Sequence, residues 1–376
     1  MRILILSFSA GEGHNSCAKA IKSAADARGV PCEVQDTRQF VSSGASRLIS
    51  DLHAGFYRYF PKLSDDAYQY AQEHPQLFQA QSGGRTVKLL RGVLRKVRSF
   101  ISSGGYDAVV CVHLFPAILL TLIQHDQPLP VRTCFVATDY TASPSCDQID
   151  MDRVFIPDDS LKPEFMAMGI PEERLTGSGI PVRQMFYSRE DKRSAKSLAG
   201  VDPGHSHLLI MSGSMGAGPI QKIVEMLAQM MSTECELTVV CGTNKRLYQQ
   251  LSQKLGNRSG IHIQGFVQNI PLLMDSADLY LTKPGGISVS EAWVKGLPMV
   301  LVNAVAGCEG PNLDFFTRLG GAVTADSPEQ LAELCLRTLH DPARLDRMAA
   351  ALMPGSGRNA AETVFRYAAG DAVLTH

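Results

Sequence analysis

The strongest chemical signal in the sequence is a histidine beside two glycines, where a short apolar run gives way to a helical pattern. Gly11, Gly13 and His14 follow the apolar run Arg2–Leu6. Glycines let the backbone approach a ligand closely, and the N-terminus of the following helix attracts negative charge. The helix dipole also favours the neutral imidazole that a general base needs near pH 7. We therefore predict that His14 is a general base, with a solvated loop histidine as the alternative.

The same loop partly fits a dinucleotide fingerprint. Gly11-x-Gly13 is followed by Asp36 at the end of the next apolar run, at a distance that suits contact with a ribose. The third glycine of that fingerprint is missing, because Ser16 occupies its place. A dinucleotide-dependent oxidoreductase therefore remains an alternative.

A second glycine-rich loop follows the apolar run His207–Met211 and precedes another helical pattern. Its backbone N–H groups suit a phosphate, although a plain strand-to-helix turn would have the same composition. It lacks the Gly-Lys-Ser/Thr of a nucleotide-binding P-loop. The candidate ligand-binding residues of this loop are Gly213, Ser214, Met215 and Gly216.

A third loop carries a carboxylate at a spacing that suits a nucleotide. The run Leu279–Thr282 stops at Lys283-Pro284, and the next helix carries Glu291 about one turn in. Gly285, Gly286 and Ile287 would present backbone amides to a diphosphate, while Glu291 would bind a ribose diol with both oxygens. Electrostatic capping of the helix is the alternative role for this glutamate.

The loop after Met299–Val302 contains Glu309, Gly310 and Asn312, an acid and an amide that suit the hydroxyl groups of a sugar. General surface polarity is the alternative explanation of this loop.

Composition limits the class of protein. The chain has 376 residues, 45% of them hydrophobic, and a formal net charge of −1, so it forms sizeable cores and carries no overall charge that would attract nucleic acid. Nine scattered cysteines without a CxxC pair indicate a reduced, cytoplasmic chain. The longest apolar stretch, Ala108–Ile123, is too short for a membrane span, and the N-terminus lacks the pattern of an export signal.

Short apolar runs alternate with helical patterns along nearly the whole chain, which predicts two doubly wound parallel sheets. The boundary is expected where the pattern lapses, between Gly179 and Gly204, and a final amphipathic helix is expected over Asn359–Ala369. The predicted strands are Arg2–Leu6, Cys32–Gln35, Ala108–His113, Arg132–Ala137, Arg153–Ile156, His207–Met211, Leu237–Cys241, Ile261–Gln264, Leu279–Thr282, Met299–Val302 and Ala322–Thr324.

These motifs together resemble a known family of enzymes. Ser9–Ile21 is similar to the opening of the monogalactosyldiacylglycerol synthases and processive diacylglycerol glucosyltransferases. Gly265-Phe266-Val267, Lys283–Glu291 and Glu309–Asn312 resemble their nucleotide-sugar half, whose pattern is shared by the N-acetylglucosaminyltransferase of the peptidoglycan lipid intermediate. Thr138–Thr141 and Gly179–Val182 also resemble the bacterial lipid-glycosylating branch. The resemblance covers nearly the whole chain.

The resemblance implies a GT-B fold, in which two Rossmann-like domains face a cleft. It assigns residues 1–182 to the acceptor, residues 183–354 to the nucleotide sugar, and residues 355–376 to a C-terminal helix that packs back toward the first domain. It implies an inverting transfer of a hexose from a UDP-sugar to a hydroxyl of a lipid such as diacylglycerol, or of a polyprenyl-linked or soluble acceptor. A non-catalytic nucleotide-sugar-binding protein is a further alternative.

The resemblance also assigns roles to individual residues. His14 becomes the base, with Gly13 beside it and Asp139 as the next candidate. Glu291 becomes the ribose ligand. The other positions are Gly213–Gly216 and Gly285–Ile287 at the diphosphate, Phe266 and Val267 at the uracil edge, Asn244 near the nucleotide, and Glu309, Gly310 and Asn312 at the sugar. The chain departs from the pattern at Ala142–Ser145 and at Cys308, where acceptor or sugar would be recognised.

We predict neither a cofactor nor a bound metal. Asp150-Met151-Asp152 matches the DxD motif with which other glycosyltransferases hold a metal, but it lies in the first half, away from the predicted donor loops. Helix N-termini would instead supply positive potential to the diphosphate.

A basic amphipathic segment predicts contact with a membrane surface. Residues 85–101 contain six Lys or Arg residues and no acid, with apolar residues at helical spacing. We expect this helix to contact anionic lipid at the inner face of the cell membrane, with a helix packed in the core as the alternative.

Overall fold

The computed structural model describes residues 1–8, 12–41, 85–211, 219–302, 309–355 and 357–371. The chain forms two compact units. The first runs to Gln184 and includes the C-terminal helix from Asn359 onward, and the second lies between Met185 and Arg358. Each unit contains one six-stranded parallel sheet with helices, so the prediction of two Rossmann-like domains is confirmed.

The sheet of the first domain has the order β2-β1-β3-β4-β5-β6. Its central strands are continuous Val, Ile and Leu runs that are buried on both faces, as a parallel sheet between helices requires. The strands are β1 (Ile3–Ser7), β2 (Cys32–Asp36), β3 (Ala108–Cys111), β4 (Arg132–Val136), β5 (Arg153–Ile156) and β6 (Leu175–Gly177). The helices are α1 (Glu12–Asp26), α2 (Arg85–Gly104), α3 (Leu114–Asp126) and α4 (Lys162–Ala167), with 3₁₀ turns at Thr37–Phe40, Cys146–Gln148, Asp159–Leu161, Glu172–Arg174 and Gln184–Phe186.

The sheet of the second domain has the order β12-β11-β10-β7-β8-β9. The strands are β7 (Ser206–Met211), β8 (Cys235–Val240), β9 (Ile261–Gln264), β10 (Leu279–Thr282), β11 (Met299–Val302) and β12 (Ala322–Ala325). The helices are α5 (Lys192–Ala199), α6 (Ile220–Met230), α7 (Lys245–Leu255), α8 (Ile270–Ser276), α9 (Gly286–Lys295), α10 (Glu309–Leu319), α11 (Pro328–Leu339) and α12 (Pro342–Leu352), followed by a 3₁₀ turn at Met353–Gly355. Residues from β7, β8, β10 and β11 pack with α6 and α11 in a single core.

The last helix, α13 (Ala360–Ala368), returns to the first domain. Asn359 caps it by accepting a hydrogen bond from the backbone N–H of Glu362 at 3.1 Å. It packs on α1, where Arg28 pairs with Glu362 at 2.6 Å. The first domain is therefore built from both ends of the described chain.

One described strand, β6, was not predicted. It has three residues and pairs only with β5 at the edge of the sheet, so it is too short to produce a periodic signal.

The basic segment forms α2, and three of its apolar side chains are buried within the domain. Val93, Val97 and Ile101 are buried, while Arg91 and Arg95 are exposed. Within the described ranges, no helix combines the length and the apolar character needed to cross a membrane.

Candidate active site

His14 lies in the first turn of α1, at the edge of the first sheet where the strands end. Its Nδ1 is 2.9 Å from the carbonyl oxygen of Val112, which directly follows β3. The hydroxyl oxygen of Thr138, which follows β4, lies 3.1 Å from the same nitrogen. The segments that follow three neighbouring strands, β1, β3 and β4, therefore bring the His14 ring, the Val112 carbonyl and the Thr138 hydroxyl into contact.

These contacts determine the protonation pattern of the imidazole. A carbonyl oxygen only accepts hydrogen bonds, so Nδ1 of His14 carries the hydrogen and donates it to Val112. In the neutral ring, Nε2 then holds the lone pair. This is the tautomer in which His14 can accept a proton through Nε2.

A second histidine supports the first. The rings of His113 and His14 meet edge to face, with centroids 4.6 Å apart. Nδ1 of His113 accepts a hydrogen bond from the backbone N–H of Phe115 and so caps α3. Asp139 directly follows Thr138 and is half-buried, and its role as the next candidate base stays a prediction.

Both aspartates of the DxD motif in the first domain have structural partners. Asp152 accepts hydrogen bonds from the backbone N–H and the hydroxyl of Thr133, at 2.7 and 2.9 Å. Asp150 pairs with His125 and Arg174, and these hydrogen bonds hold the pKa of its carboxyl below the usual range. Among the described residues, no group of three or more His, Cys, Asp or Glu side chains is arranged to hold a metal ion.

Asp36, the carboxylate that made a dinucleotide site conceivable, caps a 3₁₀ turn. It accepts a hydrogen bond from the backbone N–H of Arg38 at 3.0 Å and pairs with the guanidinium of the same residue at 2.6 Å. These contacts give the carboxylate a local structural role.

In the second domain, the predicted diphosphate loop opens α9 at the end of β10. Gly285 is the N-cap and provides no side-chain cap for the first-turn amides. Its backbone has φ −72° and ψ 133°, which any residue adopts, and an added Cβ would meet no atom within 4 Å. Neither backbone conformation nor packing in the described structure requires glycine here, and the role of Gly285 at the diphosphate stays a prediction.

Glu291 projects from the same helix and is 7% exposed. It lies close to Tyr280 on β10, whose pKa is raised by burial and further by the negative charge of Glu291. Ser290 beside it donates a hydrogen bond to the carbonyl of Gly286 at 2.6 Å and braces the first turn.

The sugar-binding candidates lie at the start of α10. Asn312 is fully buried and donates a hydrogen bond to the carbonyl of Pro284 at 2.9 Å, which ties α10 to the diphosphate loop. Its assignment to the sugar stays a prediction beside this bracing contact. Glu309 is the first residue of α10, Gly310 has open space at its Cβ position, and Glu309 pairs with Lys283 at 2.9 Å.

The nucleoside candidates lie beyond β8 and β9. Phe266 follows β9 and is 71% exposed, and Val267 beside it is half-buried. The assignment of Phe266 and Val267 to the uracil edge stays a prediction. Asn244 caps α7 by accepting a hydrogen bond from the backbone N–H of Leu247 at 3.0 Å. Gly213, Ser214, Met215, Gly216 and Cys308 lie outside the described residues.

Sequence reasoning missed four participants: the Val112 carbonyl, His113, Thr138 as a partner of His14, and Lys283. All four lie within two residues of the end of a strand. The available signal was therefore their position, because the carboxyl ends of neighbouring parallel strands share one edge of the sheet. Without the order of the strands, that signal does not say which of them meet.

Two family models match separate parts of the chain. Residues 14–182 match the model of the monogalactosyldiacylglycerol (MGDG) synthase family. Residues 207–364 match the C-terminal domain of glycosyltransferase family 28.

The chain is similar to two curated enzymes named processive diacylglycerol beta-glucosyltransferase. It is 28% identical to that of Staphylococcus saprophyticus over 257 residues, which are 68% of this chain and 65% of the relative. The match therefore spans slightly less than two thirds of that enzyme. For the Bacillus pumilus enzyme the identity is 26% over 357 residues, covering 92% of this chain and 89% of the relative.

Among solved structures, the crystal structure of MurG from Acinetobacter baumannii matches with a TM-score of 0.67 at 16% identity, over 98% of this chain and 99% of that chain. This match confirms the predicted GT-B class of fold. The chain is therefore similar to the monogalactosyldiacylglycerol synthases over residues 14–182 and to the C-terminal domain of family 28 glycosyltransferases over residues 207–364.

Proposed function

We propose that this protein transfers a hexose from a UDP-sugar to a hydroxyl group of a lipid acceptor such as diacylglycerol, with inversion at the anomeric carbon. The observation that carries the proposal is the fixed tautomer of His14. Because Nδ1 donates to the Val112 carbonyl, Nε2 of the neutral ring carries the lone pair that would take the proton of an acceptor hydroxyl.

The proposed reaction is a single displacement. The acceptor oxygen forms a bond to the anomeric carbon while its proton passes to Nε2 of His14. The bond between that carbon and the diphosphate oxygen breaks, and its electron pair leaves with UDP. One displacement inverts the centre, so an α-linked donor gives a β-glycoside.

The second domain would hold the donor. The uncapped amides at Gly286 and Ile287 suit the diphosphate, Glu291 suits the ribose hydroxyls, and exposed Phe266 suits the uracil ring. Glu309 would accept hydroxyl groups of the sugar. Positive potential from helix N-termini and lysine suits a donor site that needs no metal.

We further propose that the protein works from the cytoplasm at the inner face of the cell membrane, where α2 meets anionic lipid. Because Val93 and Val97 are buried within the domain, the attraction would be electrostatic, through exposed Arg91, Arg95 and Lys96.

Changing these three residues to glutamine should reduce cosedimentation with anionic vesicles while UDP binding stays as in the parent. Equal sedimentation of parent and variant would contradict this membrane contact.

A transfer assay tests the main proposal. The protein is incubated with vesicles containing diacylglycerol and with radiolabelled UDP-glucose, UDP-galactose or UDP-N-acetylglucosamine, with and without a chelator. We expect one UDP-sugar to label the lipid fraction, with β configuration by NMR and with equal rate in the chelator. UDP binding without transfer to any hydroxyl acceptor would favour a non-catalytic binding protein. NAD(P)H binding without UDP binding would favour an oxidoreductase.

A further inference from the structure

The ion pair between Lys283 and Glu309, in the proposed donor-binding domain, leaves one buried carboxylate oxygen without a hydrogen bond from any described residue. Lys283 directly follows β10, and its Nζ lies 2.9 Å from Oε1 of Glu309 at the start of α10. The two side chains are only 18% and 19% exposed. The other carboxylate oxygen of Glu309, Oε2, is withdrawn from solvent and has no hydrogen-bond partner among the described residues.

A shielded acceptor without a partner destabilises a folded protein, so natural structures rarely leave one. The Lys295–Asp275 pair of the same domain illustrates the usual arrangement. There, Nζ of Lys295 contacts both oxygens of Asp275, at 2.8 and 2.7 Å, and the carbonyl of Ser188. In the Lys283–Glu309 pair, by comparison, the lysine contacts only Oε1 of the carboxylate. The second oxygen, Oε2, can still accept a hydrogen bond from a hydroxyl group.

The charge around Lys283 favours an anion. The N-termini of α9 and α10 each contribute about half a positive charge. The hydrogen bond from Asn312 to the Pro284 carbonyl holds these two helix starts together beside Lys283. Glu309 pairs with Lys283, so its single negative charge stands against about two positive charges from the lysine and the two helix N-termini.

We propose that Lys283 is the cation that binds the diphosphate of the donor, and that Glu309, whose Oε2 would accept the sugar hydroxyl proposed above, positions this lysine. This inference rests on the proposed UDP-sugar donor. When the bond between the anomeric carbon and the diphosphate breaks, the electron pair moves to the phosphate oxygen, and the ammonium of Lys283 stabilises that added charge.

The test compares the affinities of uridine, UMP and UDP by calorimetry in three variants. Lys283→Met should weaken UDP binding about 10- to 100-fold, because charged hydrogen bonds to phosphate are lost. Uridine binding should stay within about twofold of the parent. Lys283→Arg should retain most of the UDP affinity. Lys254→Met, which removes a lysine paired with Glu225 elsewhere in the same domain, is the matched control and should bind UDP like the parent.

A Glu309→Gln variant separates the two roles. It should bind UDP as tightly as the parent or tighter, since the carboxylate no longer competes for Lys283, but transfer of the sugar should fall. Undiminished UDP affinity in Lys283→Met, while the parent binds UDP and transfers sugar, would overturn the inference and leave the proposed function standing. Equal losses for uridine and UDP would overturn it in favour of a structural role. A parent that does not bind UDP would overturn both.

Discussion

The hydrogen bonding of polar side chains differs between the amino edge of the second sheet and the carboxyl edges of both sheets. At the amino edge of the second sheet, Asp278 pairs with Lys192 and Lys196, and buried Glu236 bridges His205 and His262 at 3.0 and 2.7 Å. A cavity of about 540 Å³ lies at this edge, and the buried charges along it are matched by opposite charges. Two carboxylates that line it, Asp275 and Asp278, are both paired with lysines.

At the carboxyl edges, the hydrogen bonds of the candidate site residues follow another pattern. His14 has one nitrogen fixed and the other in the proton-accepting form, and Glu309 has one oxygen paired and the other without a described partner. Gly285 leaves space at the start of a helix. The comparison teaches that a buried charge by itself does not mark a site. The completeness of its hydrogen bonding separates a stabilising pair from a binding one.

The largest effect should come from removing the base at the carboxyl edge. His14→Ala should lower the rate of transfer about 10²- to 10⁴-fold at saturating donor, since general-base catalysis is worth that much. UDP affinity and the thermal midpoint should change little. His125→Ala, which removes an exposed histidine paired with Asp150, should retain the parental rate. If His14→Ala keeps most of its activity, the base lies elsewhere and Asp139 is tested next.

The next largest effect, on the free energy of unfolding, should come from breaking a fully hydrogen-bonded ion pair at the amino edge. Lys295→Met leaves Asp275 as a buried charge without its partner, and we expect a loss of about 3–5 kcal/mol in the free energy of unfolding. Trp293, the single tryptophan, lies in this domain and reports its unfolding by fluorescence. UDP affinity, measured well below the unfolding transition, should not change.

Lys254→Met is the matched control, because it breaks a pair whose lysine is 55% exposed. Its expected cost is about 0–1 kcal/mol. Equal destabilisation in the two lysine variants would remove the distinction between closed buried pairs and solvated ones.

The smallest effect concerns pH at the amino edge. Burial lowers the pKa of His207 to about 4, and Thr238 and Ser276 hold the neutral ring by hydrogen bonds. The unfolded chain, with a histidine pKa of about 6.5, then binds a proton that the folded chain excludes. This contribution to stability is complete above about pH 6.5 and is lost as the pH falls toward 4.

Between pH 7 and pH 5 the parent should lose about 2 kcal/mol from this group, measured by urea unfolding followed through tryptophan fluorescence. His207→Gln should lose less over the same range. Equal pH dependence in parent and variant would assign the loss to other groups. Glu236 and Asp278 have pKa values below their usual range, so their contributions disappear mainly at lower pH.

The regular parts of the fold were predictable because buried parallel strands are continuous apolar runs. Every predicted strand corresponds to an observed one, whereas the three-residue β6 carried no comparable pattern. His14 and Glu291 were candidates because glycines and helix starts surround them in the sequence itself. Thr138 and Lys283 were not assigned roles, because each depends on a contact across strands distant in the chain, 124 and 26 residues from its partner. For Asn312, the residue type alone was insufficient in another way. It predicted a sugar ligand, whereas its described hydrogen bond is to the backbone carbonyl of Pro284.

The return of α13 to the first domain has a consequence for how the protein is made. A ribosome releases the chain from its N-terminus, so the second domain, which ends at Arg358, has been synthesised before α13 emerges. The first domain cannot bury the face of α1 that packs against α13 until residues 360–368 have left the exit tunnel. During synthesis, the half that carries His14 is therefore the last to reach its final form, and the half that carries Glu291 folds before it.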